Sequence, residues 1–101
     1  MKLSVQDVEL LTKAAKAVGF EIVAFADNDY AVLDDGCLWN PLDDDGDALR
    51  LAVKLGLWIH IGKYDVAVEG TPIEESCVKC PYAATRRAIV RAAAEIGQAK
   101  K

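Results

Sequence analysis

Apolar residues early in the chain recur with a helical period: Val8, Leu11, Ala15 and Val18 fall on one face at a spacing near 3.6 residues. Ser4 is placed to cap this segment, and Asp7 stands at the third helical position, near the positive end of the dipole. Leu3 and Val8 have the spacing of a hydrophobic staple. With Gly19 as its stop, the pattern predicts a helix over residues 5–18. Two short apolar runs follow, 20–26 and 30–33, separated by Asp27, Asn28 and Asp29. Asx-rich triplets between β-prone runs signal a hairpin, because Asn and Asp tolerate left-handed backbone and bond their own main chain. Residues 37–39 can briefly resume extended structure after the turn at Asp34, Asp35 and Gly36.

Helical spacing returns at Ala48, Leu51, Ala52 and Leu55, with Leu49 beside this stripe and Arg50 and Lys54 on the outer side. One of Asp43, Asp44 and Asp45 is expected to cap this helix, and Gly56 to end it. Residues 57–61 alternate as a third strand, Gly62 and Lys63 form a turn, and 64–68 make a fourth strand. Residues 70–79 read as loop. Pro81 suits the first turn of a last helix with a stripe of Ile89, Ala92, Ala93 and Ile96, closing near Gly97. The order α-β-β-α-β-β-α predicts an α+β fold: a four-stranded, mainly antiparallel sheet with helices packed on it. With 101 residues the chain is expected to be one domain.

The segment over 38–55 joins a Trp39-Asn40-Pro41 turn to an acidic helix start and an apolar-striped helix, and residues 84–97 form an alanine-rich terminal helix. With the order of elements, these features resemble the phage α/β/α (ABA) sandwich domain family of small phage- and prophage-encoded proteins. The resemblance covers nearly the whole chain. It implies a three-layer sandwich and a phage origin, and it carries no catalytic motif.

Composition places the chain among globular proteins, since 52% hydrophobic and 28% charged residues lie far from the disordered class. No apolar run approaches the roughly 18 residues that span a bilayer, and the amino-terminal residues lack a signal peptide's apolar centre, so a cytoplasmic location is expected. Charge is more telling by position than by its total of −4. Residues 27–47 hold eight acids (Asp27, Asp29, Asp34, Asp35, Asp43, Asp44, Asp45 and Asp47) and no Lys or Arg, a charge of −8, which leaves +4 elsewhere. A direct nucleic-acid binder shows the opposite, a basic stripe. Helix-start and turn aspartates explain part of the cluster; the remainder is either a solvated acidic surface, the simpler reading, or a negative face that docks on a basic partner.

The cysteines are odd in number and are expected to be reduced thiols. Cys77 and Cys80 form a C-x-x-C pair, and with Cys37 and His60 they supply the ligand types of a structural zinc if the fold brings them together. Two ordinary loop thiols is the simpler reading, and no cofactor is expected. His60 alternates with Ile59 and Ile61 and shares a strand face with Trp58, so it is expected to be partly buried if helices cover both faces of the sheet. An EF-hand is excluded, because counting back from Gly46 or Gly36 puts Pro41 or Ala31 at the first ligand position. Arg86, Arg87 and Arg91 could grip an anion, although the exposed charged side of an amphipathic helix is the simpler reading. Trp39 is expected to pack over the second helix start.

No nucleophile–base pair and no phosphate loop accompany these residues, so the expectation is a non-enzymatic binding protein. Its sharpest form rests on the phage resemblance: an anti-CRISPR-like counter-defence inhibitor in the host cytoplasm that docks its acidic face on a host protein complex. Two alternatives stand beside it. One is a homo-oligomeric sponge that traps a nucleotide signal with Arg86, Arg87, Arg91 and an aromatic such as Tyr82 or Trp39. The other is a zinc-stabilised adaptor.

Overall fold

A computed structural model describes residues 3–26, 29–76 and 80–99. Among these described residues three helices, α1 (Val5–Ala17), α2 (Asp45–Leu55) and α3 (Pro81–Ala99), accompany six short strands: β1 (Ile22–Ala26), β2 (Tyr30–Leu33), β3 (Leu38–Trp39), β4 (Ile59–Ile61), β5 (Asp65–Val68) and β6 (Glu74–Ser76). The α+β class holds, but the single four-stranded sheet does not. The strands form two antiparallel sheets of three, ordered β1-β2-β3 and β4-β5-β6.

The reason is local closure. The Leu33 amide donates to the Cys37 carbonyl and the Cys37 amide to Asp35 Oδ1, with Gly36 at φ 88°, so β3 folds straight back onto β2. After Gly70, at φ 83°, Thr71 Oγ1 donates to the Val68 carbonyl and accepts from the Ile73 amide, which returns the chain as β6. Each hairpin thus recruits a third strand across a few residues, whereas pairing one hairpin with the other would require closing a much longer loop. Residues 74–76, expected as loop, are this third strand; Glu74, Glu75 and Ser76 show no apolar alternation to announce it.

The first helix is capped as its sequence predicts: Ser4 Oγ accepts from the Asp7 amide and an Asp7 carboxylate oxygen accepts from the Ser4 amide. Asp44 caps α2, and Gly56 ends it in left-handed backbone at φ 65°. Of the α2 stripe, Ala48, Leu51 and Ala52 are buried and Leu55 is half-buried, while Leu49 faces solvent. Along α3, Ala84, Ala88, Ile89, Val90, Ala92, Ala93, Ala94 and Gly97 are all buried, far more than one stripe.

That burial corrects the layer order. Ile89, Val90 and Ala93 join one apolar cluster with Leu11, Ala14 and Leu51 of the other helices and with Ala31, Leu33 and Trp39 of the first sheet. Ala84, Ala88 and Ala92 join a second cluster with Val66, Val68 and Ile73 of the other sheet. Helix α3 therefore lies between the second sheet and the rest of the molecule, and among the described residues no sheet sits between two helical layers. The outer face of the second sheet stays open, so Trp58 (72% exposed) and His60 are solvated rather than covered. No helix among the described residues is long and apolar enough to cross a membrane.

Candidate functional site

The turn into α2 is built around Asn40. Trp39, Asn40, Pro41 and Leu42 are all buried. A buried amide must place each polar atom against a partner, and Asn40 does so: its Nδ2 donates to the Asp29 carbonyl at 2.6 Å, while its Oδ1 accepts from the Leu42 amide at 3.1 Å. Its backbone amide donates to Asp47 Oδ2 at 3.0 Å, and its carbonyl accepts from the amides of Asp43 and Asp44. The Trp-Asn-Pro stretch is therefore a structural corner.

This corner sorts the acidic residues. Asp44 accepts from the Asp47 amide as the helix cap. Asp47 is largely buried, taking the Asn40 amide on one oxygen and Arg50 Nη2 at 2.7 Å on the other. Asp45 pairs with Arg86 Nη1 at 2.6 Å, and Arg86 Nε also reaches the Leu42 carbonyl at 2.9 Å, bracing the corner against α3. Asp34, Asp35 and Asp43 are exposed, and none of them is paired with a cation among the described residues. Asp27 lies outside the described residues.

Asp34, Asp35 and Asp47 line one groove of about 500 Å³ between the first sheet and α2. Its apolar wall comes from Phe20, Leu33, Leu38, Trp39 and Leu51. Trp39, 5% exposed, meets the Phe20 ring edge-on with centroids 5.7 Å apart, and Lys54 Nζ stands 5.3 Å from the Phe20 centroid. Phe20 and Leu38 reach solvent beside the unpaired carboxylates. Asp45 lies instead on the other side of α2, in a second groove with Leu49, Ile61, Tyr82 and Arg86. The acidic segment is thus divided by the helix it starts, and only part of it faces one way.

Cys37 sits on the rim of the first groove beside Asp35. A side-chain hydrogen bond to Asp35, reinforced by the negative charge of that carboxylate, pushes the Cys37 thiol above its ordinary value. The backbone amide of Cys37 holds the Asp35 carboxyl below the usual carboxylate range. A thiol kept protonated is a poor nucleophile and a poor metal ligand at neutral pH.

The remaining candidates are dispersed. Cys37 belongs to the first sheet's rim, His60 to the outer face of the second sheet, 4.0 Å from Glu69, and Cys80 to the start of α3; Cys77 lies outside the described residues. Among the described residues no three His, Cys, Asp or Glu side chains stand together as metal ligands would. Each of the three arginines is held within the molecule: Arg86 as above, Arg87 on Asp7 at 3.3 Å, and Arg91 on Glu75 and the Glu74 carbonyl. Arg87 and Arg91 share a shallow cleft with Glu75 and Lys13, while Arg86 opens onto a different one.

Sequence reasoning missed Phe20, Leu38, Leu49 and Ile61 as surface features. For Leu49 there was a signal, since it falls off the apolar stripe of α2; for Phe20 and Leu38 there was none, because both sit in strand-like runs. No protein-family model matches the chain, and no match is found among curated proteins or solved structures.

Proposed function

We propose that the protein is a non-enzymatic binding protein that docks on a basic surface of a protein partner through the groove between the first sheet and α2. The observation that supports it is the coincidence of exposed apolar side chains, Phe20 and Leu38, with carboxylates, Asp34 and Asp35, that are not ion-paired among the described residues, in a groove that Arg50 and Lys54 line on its helix side. Apolar anchors ringed by charge give a partner both desolvated contact and electrostatic register. Asp44, Asp45 and Asp47 act in this reading as supports of the corner, and Asp43 adds to the field from the turn before α2.

The phage resemblance supplies the biological form of the proposal: an anti-CRISPR-like inhibitor that occupies a nucleic-acid-binding surface of a host defence complex in the host cytoplasm. The test is competition for target DNA on a purified CRISPR surveillance complex. The wild-type protein is expected to block DNA binding, less well as salt rises. The combined Asp34→Lys, Asp35→Lys and Asp43→Lys variant is expected to lose about tenfold or more in potency. A variant as potent as the wild type would overturn the acidic-groove reading, and a wild-type protein without effect on DNA binding would overturn the counter-defence form.

A further inference from the structure

The two sheets have four outer strands, and three of them carry features that discourage pairing with another chain. The register of β1 is broken between Ile22 and Ala24, β3 is two residues long, and β6 carries Glu74 and Glu75. Bulges, brevity and charge are the usual means by which natural sheets blunt an edge. Strand β4, at three residues, is as brief as β6, but its register with β5 is unbroken and it carries no acid, Lys or Arg. It reads Ile59-His60-Ile61, with Trp58 exposed before it and Tyr64 exposed after it.

Backbone geometry defines what that edge offers. The Glu69 amide donates to the Trp58 carbonyl and the Gly62 amide to the Asp65 carbonyl, both at 2.8 Å. In an antiparallel ladder such pairs alternate, so the N–H and C=O groups of Ile59 and Ile61 point away from β5, toward the open side. Below this edge lies a groove of about 430 Å³ in which Ile61 (64% exposed) meets Leu49 (63%) and Tyr82 (69%).

We infer that this edge is a self-association surface, and that its occupant is a second copy of the same chain paired antiparallel along β4. The sequence Ile-His-Ile reads the same in both directions. A two-fold axis through His60 therefore sets Ile59 of one copy against Ile61 of the other, and each pair exchanges both hydrogen bonds. A two-fold interface requires such self-complementarity. The two three-stranded sheets then continue as one of six.

A large aromatic side chain holds roughly 150–250 Å² in all, and Trp58, Tyr64 and Tyr82 are 69–72% exposed. With Leu49 and Ile61 the patch stays below the roughly 800 Å² per partner of a standard interface, which fits a weak dimer seen at high concentration. On the wall of the groove Asp45 and Arg86 neutralise one another, and the charge beside the edge is Lys63, whose Nζ stands 5.7 Å from the Tyr64 ring centroid. The chains as wholes are each −4 and repel at long range. Salt therefore strengthens this association, the opposite of its effect on docking to a basic partner.

The test is sedimentation velocity on the full chain over a concentration series at about 0.05 M and about 0.5 M salt, with amide hydrogen exchange read residue by residue. A dimer favoured by salt is expected, with the Ile59 and Ile61 amides protected as it forms. Ile61→Lys and Leu49→Glu, both at exposed positions, are expected to weaken association by about a hundredfold or more while keeping the circular dichroism of the folded monomer. Asp34→Lys with Asp35→Lys is expected to leave the dimer intact, which separates this surface from the acidic groove. A wild-type chain still monomeric at about 1 mM in high salt would overturn the inference. So would a dimer whose Ile59 and Ile61 amides exchange as fast as in the monomer.

Discussion

At the scale of single residues, two side chains carry consequences out of proportion to their size. Asn40 is buried with its amide fully engaged, to the Asp29 carbonyl and the Leu42 amide. Asn40→Ala leaves that carbonyl and that amide without their partner inside the fold. The expected loss is about 2–3 kcal/mol, read as a shift in the urea midpoint at unchanged slope. The Asp35–Cys37 contact acts on reactivity and on pH dependence instead. The Cys37 thiol is raised above its ordinary 9.0 and the Asp35 carboxyl lowered below its ordinary 3.8. The stabilisation linked to Asp35 is therefore present above 3.8 and lost as pH falls through its folded value. The stabilisation linked to Cys37 is present below 9.0 and lost as pH rises through its folded value. Asp35→Asn removes the carboxylate, so more of Cys37 is thiolate at any pH near 8. Alkylation of Cys37, followed by peptide mapping, is expected to quicken in that variant and to leave the rate at Cys80 unchanged.

Among the elements, α3 depends most on small residues. Its alanines let α1 and the second sheet approach from different sides, and Gly97 marks the tightest point: a Cβ there would overlap the Lys13 carbonyl of α1 and stand 3.1 Å from the Ala17 amide. Gly97→Ala is favourable by helix propensity, by up to about 1 kcal/mol. The clash with backbone outweighs that, because neither helix can move without opening the apolar cluster that Leu11, Ala14 and Ala93 share. A net loss of about 3 kcal/mol or more is expected in denaturant unfolding. A gain in stability would show that α1 and α3 are not packed this closely. In the sequence Gly97 reads only as the end of a helix, since propensity and capping rules describe one helix at a time.

For the whole molecule, the acidic groove and the β4 edge lie on separate surfaces and respond oppositely to salt. Raising ionic strength from about 0.05 M to about 0.5 M is expected to weaken inhibition of a basic partner and to strengthen self-association. A shift of both in the same direction would mean that one surface serves both functions. The helices were legible because each is announced by its own neighbours: Ser4 with Asp7, Asp44 before Ala48, Leu51 and Ala52, and Pro81 before an alanine-rich run. The strands β1 and β2, which pair antiparallel, were legible from their apolar runs, while Asp27 and Asn28 of the expected turn lie outside the described residues. What the chain determined by itself is thus its local periodicity, its caps and turns, and the sign of its charge along the sequence. Only the tertiary structure decided that the strands form two sheets, that α3 lies between one of them and the rest, and that α2 divides the acidic segment between two grooves. It also decided that Arg86, Arg87 and Arg91 answer to Asp45, Asp7 and Glu75. These outcomes depend on contacts between residues distant along the chain, where many arrangements satisfy the same apolar pattern and packing selects among them.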